Sequence, residues 1–207
     1  MKIVAKRERE RVNRRTNTEN NSVSESIDSS GGVTVFDKVG VFACEPDGSN
    51  YDTAPNLLTY MSTLITSFPP LLNSGSVNYS ISNSAFNAKL AVTSSGGSSY
   101  PRHIDNPLGV KVGDTRKLTV IIYLNPEWRG EHEGNLVLHL ENEDVEVTPE
   151  SGRFVVFWSD VIPHSVTPTN EDFVGEEYDR YALTIWLPTE DVGKIHDEDS
   201  KFKDLKV

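Results

Sequence analysis

Between Pro55 and Phe68 the apolar residues Leu57, Leu58, Met61, Leu64, Ile65 and Phe68 recur every three or four positions, the spacing of one face of an α-helix. The pattern predicts one amphipathic helix, with Thr53 as its N-cap and the Pro69-Pro70 pair as its stop. Its Leu/Met stripe reads as core. Downstream the segments 88–93, 118–124, 135–140, 145–147, 153–158 and 181–187 alternate or run apolar between clusters of Gly, Pro, Ser and Asn, as β-strands and their turns do. Such short strands at close intervals predict a mainly β sandwich or jelly roll with a supporting helix, and no internal repeat competes with that reading.

The ends of the chain differ from this middle. Residues 17–32 are almost all Asn, Ser, Thr, Glu and Gly, which bury too little apolar surface to offset the cost of ordering. Residues 1–32 are therefore expected to be a flexible basic and polar tail, 33–192 the folded domain, and 193–207 a charged C-terminal tail. Lys+Arg 20 against Asp+Glu 31 give a net charge of −11, and the seven Lys/Arg among residues 1–20 leave the rest more acidic still, so a nucleic-acid-binding body is not expected. The basic head reads as a solvated tail. The longest apolar-rich run, 118–124, is far short of the roughly 20 residues that cross a bilayer, and no apolar stretch of a secretory signal follows Met1. A single cysteine, Cys44, excludes an intramolecular disulfide and paired-cysteine zinc sites, so any metal must be held by His and carboxylates.

Five histidines are available. His196 lies in the charged tail, His132 in the turn 130–134 and His139 in a strand, and all three read as structural or solvated. His103 and Asp105 are two apart in extended chain, which puts both side chains on one face. His164 follows Pro163 beyond the apolar strand 154–158, where a jelly roll can return the chain beside its earlier strands. Two imidazoles and one carboxylate would make the facial triad of a non-haem iron(II) oxygenase. A lone His-x-Asp is unspecific, but the strand that follows adds to it. Alternation over 180–186 puts Arg180, Ala182, Thr184 and Trp186 on one face and Tyr181, Leu183 and Ile185 on the other. An arginine thus opens an apolar strand. A buried guanidinium needs a partner, either a dicarboxylate cosubstrate or a local acid such as Asp179 or Glu177.

The ordered motifs Phe86-Asn87-Ala88-Lys89-Leu90-Ala91-Val92, His103-Ile104-Asp105-Asn106-Pro107, Tyr123-Leu124-Asn125, Phe157-Trp158-Ser159-Asp160, Pro163-His164-Ser165-Val166-Thr167-Pro168 and Arg180 to Trp186 resemble the catalytic domain of the iron(II)/2-oxoglutarate prolyl 4-hydroxylases. The likeness is strongest to the hypoxia-inducible-factor (oxygen-sensing) prolyl hydroxylases and spans roughly residues 40–190. It implies a double-stranded β-helix (jelly roll, cupin-like) in which His103, Asp105 and His164 bind iron(II) and Arg180 pairs with the distal carboxylate of 2-oxoglutarate. Tyr123 would add a hydroxyl to that carboxylate, and Thr184 and Trp186 would line its pocket. The implied reaction consumes O₂ and 2-oxoglutarate, releases succinate and CO₂, converts a prolyl residue of a protein or peptide substrate to 4-hydroxyproline, and uses ascorbate as reductant. The alternatives are the same chemistry on another residue or a small molecule, and an inert jelly-roll binding module. An intracellular setting, cytoplasmic or nuclear, goes with the resemblance.

Three departures from the family pattern stand out. Thr93 occupies the place, ten residues before His103, where the family often has a tyrosine facing the cosubstrate. Sixteen residues separate His164 from Arg180, with the acidic insert 170–179 between them, expected to be a surface loop. The likeness also begins late, without the helices and strand that usually precede it, so the chain is expected to be either a truncated form or an incomplete gene model.

Overall fold

The computed structural model describes residues 40–75 and 79–195 in full and the backbone of 22–27 and 33–38. The other residues, including most of both expected tails and His196, lie outside the described residues. Helix α1 spans Pro55–Asn73, and its Leu57, Leu58, Met61 and Ile65 are buried as the periodicity predicts. Both predicted ends are corrected. Ala54, not Thr53, is the N-cap, while Thr53 Oγ1 donates to the Asn50 carbonyl at 2.9 Å and closes the preceding turn. Pro55 then sits at the helix start, where a missing N–H leaves nothing unsatisfied. Pro69 and Pro70 lie inside the helix. An interior proline costs about 3 kcal/mol in a helix that packs on nothing; here Pro69 is fully buried against the core. The last turn is pinned by Asn73, whose Nδ2 donates to the Ile81 carbonyl at 2.8 Å and whose Oδ1 accepts from the Ile81 N–H at 2.9 Å. Packing overrides the local stop signal.

Strands β1 (Ser22–Ile27) and β2 (Val33–Lys38) pair antiparallel as a separate two-stranded sheet. β1 lies within the segment read as a flexible tail. The body contains β3 (Val41–Cys44), β4 (Asn87–Thr93), β5 (Tyr100–His103), β6 (Arg116–Tyr123), β7 (Leu136–His139), β8 (Asp144–Val147), β9 (Phe154–Trp158), β10 (His164–Val166) and β11 (Arg180–Pro188). A five-stranded sheet has the order β3-β4-β11-β6-β9, and a four-stranded sheet the order β5-β10-β7-β8. Each pairing is antiparallel. The expected jelly roll is the observed fold.

Alternation along β6 and β11 decides what each face meets. Leu118, Val120, Ile122, Leu183, Ile185 and Leu187 turn outward and form one core with Leu57, Leu58, Met61 and Ile65 of α1. Ile121, Tyr123 and Ala182 turn inward and join Phe157 of β9 and Leu136 of the smaller sheet. The helix therefore backs the larger sheet, and the space between the sheets is left for the site. Among the described residues no helix is long and apolar enough to cross a membrane.

Leu183 is wholly buried between α1 and the sheet. Leu183→Ala is expected to lower stability by about 2–5 kcal/mol in urea unfolding; a loss below about 1 kcal/mol would mean that the helix does not seal this face.

Candidate active site

β5 and β10 are short and irregular, yet their register sets His103 directly opposite His164. Asp105 follows two residues after His103, and the three side chains bring one ligand atom each to within 4.8 Å of one another. Asp105 Oδ1 lies 3.5 Å from His103 Nε2 and 3.8 Å from His164 Nε2. The other ring nitrogens face carbonyl oxygens: Nδ1 of His103 is 3.0 Å from Pro101 O, and Nδ1 of His164 is 3.1 Å from Ile162 O. A carbonyl only accepts, so each Nδ1 carries a proton, and each Nε2 faces the centre.

The far oxygen of Asp105 is equally fixed. Oδ2 accepts from Thr119 Oγ1 at 2.7 Å and from Trp186 Nε1 at 2.9 Å, and the Asp105 carbonyl accepts from Arg116 Nη2 at 2.6 Å. Because Thr119 donates to the carboxylate, Ser159 Oγ, 2.7 Å away, must donate to Thr119. Burial alone would raise the carboxyl pKa; the His103 contact, the charges of His164 and His103 and the Trp186 N–H outweigh it and hold Asp105 well below the usual carboxylate range. His164 is pushed down to about 4, chiefly by burial and then by the charge of His103, with Asp105 opposing. At neutral pH the set is one carboxylate and a neutral His164 imidazole, the protonation states a divalent cation requires.

Arg180 occupies the other end of the inner face, opposite Thr93 of β4. Its Nε donates to the Gly134 carbonyl at 2.9 Å and its Nη2 to Tyr123 Oη at 3.3 Å. Among the described residues no carboxylate pairs with this guanidinium, which is only 6% exposed. Asp179, one of the two local candidates, instead takes the Ser95 N–H on its Oδ1 at 3.1 Å. Burial pushes the Arg180 guanidinium down and the Tyr123 phenol up, and each opposes the shift of the other. Tyr123 accepts from Arg180 and keeps its own O–H to donate. A buried cation with neutral partners is costly until an anion joins it. Thr184 lies half-buried on the same face, opposite Ile121 and Lys89. Trp186 does more than line a wall, since it ties Asp105.

The acidic insert is the expected surface loop, exposed at Glu171, Asp172, Val174, Glu176 and Glu177, and it is anchored from beneath. Phe173 and Tyr178 pack on the buried His132 ring at 4.8 and 5.4 Å, and His132 packs on Trp128 at 5.2 Å. Ser95 Oγ and the Gly175 backbone exchange contacts at 3.0 Å. Anchored on both sides, the insert returns the chain to β11 with Arg180 in register. His132 and His139 are outside the triad, as expected; His139 bridges Asp144 Oδ1 and Ser165 Oγ at 2.9 Å each. Thr119, Ser159 and Arg116 were not singled out from the sequence as supports of Asp105. The available signal was Thr119, a polar residue at an inward position of an apolar strand.

Two imidazole nitrogens and one carboxylate oxygen, with their outer atoms hydrogen-bonded, are a donor set of the kind that a non-haem iron(II) ion takes. The residues present fit that ion. Residues 88–188 match the family model of the 2OG-Fe(II) oxygenase superfamily. The chain is 34% identical over 113 residues to Egl nine homolog 1 of Rattus norvegicus, covering 53% of this chain and 30% of that protein. It is 37% identical over 103 residues to prolyl hydroxylase EGLN3 of Homo sapiens, covering 48% and 38%. Among solved structures, a Trichoplax adhaerens prolyl hydroxylase in complex with a hypoxia-inducible-factor peptide fragment superimposes with a TM-score of 0.64 at 27% identity, over 91% of this chain and 78% of that one. A Pseudomonas putida prolyl-4-hydroxylase shares the fold, with a TM-score of 0.61 at 21% identity over 92% and 86%. The chain spans about a third of the length of the curated relatives.

Thr119→Val removes one donor to Asp105 at nearly constant volume. Metal affinity, read by manganese(II) titration, is expected to fall about 10- to 100-fold; unchanged affinity would show that Trp186 alone fixes the carboxylate.

Proposed function

We propose that the chain is an iron(II)- and 2-oxoglutarate-dependent dioxygenase that hydroxylates a prolyl residue of a protein or peptide to 4-hydroxyproline, in oxygen sensing. The observation that carries this is the pairing of a pre-aimed His103–Asp105–His164 donor set with a buried Arg180 that, among the described residues, meets a carbonyl and a phenol and no carboxylate. In this reading His103 Nε2, His164 Nε2 and Asp105 Oδ1 would hold iron(II). Iron(II), when bound with 2-oxoglutarate, supplies O₂ activation, with ascorbate as reductant, and the products are succinate, CO₂ and the hydroxylated substrate.

The chain's own residues do the positioning. Arg180 and Tyr123 grip the distal carboxylate of 2-oxoglutarate, one by charge and a planar fork, the other by its free O–H. Thr93 is placed opposite Arg180, so the cosubstrate end is built with a short hydroxyl side chain. Thr184 and Trp186 line the run from Arg180 toward Asp105, and Ile121, Phe157 and Ala182 keep it dry. A prolyl residue suits such a mouth because its φ is preset near about −65° and little is lost on ordering. The loop after Asp105 is tied at its base by Asn106, which accepts from Gly109 N at 2.9 Å and donates to the carbonyls of Asp114 and Arg116 at 3.0 and 2.8 Å. Its exposed Val110 and Val112 offer the peptide an apolar contact. An intracellular setting, cytoplasmic or nuclear, goes with this reading.

His103→Ala or Asp105→Ala is expected to abolish iron-dependent succinate release while leaving the circular dichroism of the β fold intact; activity surviving either change would sink the triad. Arg180→Ala should raise KM for 2-oxoglutarate by the equivalent of about 2–5 kcal/mol, and Tyr123→Phe by about 0.5–1.5 kcal/mol. An unchanged KM in Arg180→Ala would move the cosubstrate to another cation. Mass spectrometry of proline-containing peptides should show a one-oxygen gain at proline. Oxygen found only at another residue, or only in a small molecule, would overturn the prolyl assignment and leave the oxygenase standing.

A further inference from the structure

The β4–β11 register lays out the inner face as opposed pairs: Thr93 with Arg180, Ala91 with Ala182, Lys89 with Thr184 and Asn87 with Trp186. Directly opposed residues in an antiparallel pair share a face, so Lys89 stands on the wall that faces the site. Its Nζ lies 5.8 Å from the centre of the Trp186 ring, the ring whose N–H holds Asp105. Arg116 flanks the same ring at 5.5 Å, but its charge is met by Asp114 at 2.6 Å. Lys89 is half-buried, and among the described residues it has neither a carboxylate nor a hydrogen-bond acceptor. A lysine of no use to the site would carry its ammonium to water; this one lies along the tryptophan beside the proposed metal set.

We propose that Lys89 is a specificity residue that selects substrate peptides carrying an Asp or Glu side chain next to the residue to be oxidised, an inference that rests on the hydroxylase reading above. The anion it awaits is a carboxylate, and two sources exist. In the reading above the distal carboxylate of 2-oxoglutarate is taken by Arg180 and Tyr123 and its 2-oxo acid end by the metal set, so the cosubstrate leaves no anion for Lys89. The carboxylate that reaches it arrives with the incoming peptide. The chain's net charge of −11 repels acidic peptides in general, so a single cation at the mouth makes the selection positional: an acid is tolerated at one place only.

The test uses the full chain with iron(II) and 2-oxoglutarate under argon, so that fluorescein-labelled peptides bind without turnover. Peptides identical except for Asp, Asn or Lys beside the proline are compared by anisotropy in wild type, Lys89→Met and Lys89→Glu. Wild type is expected to bind the Asp peptide roughly tenfold tighter than the Asn peptide. That ratio should vanish in Lys89→Met and invert toward the Lys peptide in Lys89→Glu, an inversion that a merely structural role does not give. Equal binding of the Asp and Asn peptides by wild type, or the same ratio in all three proteins, overturns the proposal. A raised KM for 2-oxoglutarate in Lys89→Met with the peptide ratio unchanged assigns the ammonium to the cosubstrate and also overturns it. Air is then admitted and the peptides are weighed. A charge preference that follows Lys89 while no peptide gains oxygen supports the proposal and contradicts the hydroxylase reading instead.

Discussion

The site depends on one strand pairing. β5 and β10 are four and three residues long, and their register places His103 opposite His164. A one-residue slip would turn one imidazole to the outer face and leave Asp105 with a single partner. Two such short strands cannot hold that register themselves. It is held by β7 on the far edge of β10, by the Nδ1 contacts to Pro101 and Ile162 carbonyls, and by Thr119 and Trp186, which reach across from the larger sheet to Asp105. The outer sheet and helix exist, functionally, to keep β6 and β11 rigid enough to deliver those two donors.

The inner face of β11 orders the chemistry along one strand. Arg180, buried and without a carboxylate among the described residues, marks one end; Trp186, bonded to Asp105, marks the other. The apolar and small residues between them exclude water, which strengthens every charge–charge term inside. The cost of burying an uncompensated guanidinium is met by the core packing behind it, where Leu183 and Ile185 of the same strand lock onto α1. In the proposed reading this stored cost becomes affinity for a dicarboxylate.

Much of this was legible in the sequence because period-two alternation is a local property. The facing of Arg180, Ala182, Thr184 and Trp186, and of Thr119, Ile121 and Tyr123, follows from the strand pattern and was observed. The triad was legible only through spacing and resemblance, since β5 and β10 are too short to show a period. What could not be read were effects of distant contacts. Pro69 and Pro70 looked like a helix stop because the local rule omits Ile81, which pins the helix end through Asn73. The insert was legible as a surface loop, but its anchors, His132 and Ser95, were not, because they are far away in the chain. Trp186 looked like a pocket wall because a hydrogen bond to a carboxylate 81 residues away leaves no trace in composition.

The central claim is that one metal set and one carboxylate grip together couple the oxidation of 2-oxoglutarate to that of a prolyl residue. Turnover under ¹⁸O₂ with a proline-containing peptide tests it most directly. The account predicts one labelled oxygen atom in succinate and one on the prolyl ring, in equal amounts and only with iron(II) present. Succinate formed without iron(II), or a peptide whose new oxygen comes from water, would contradict it.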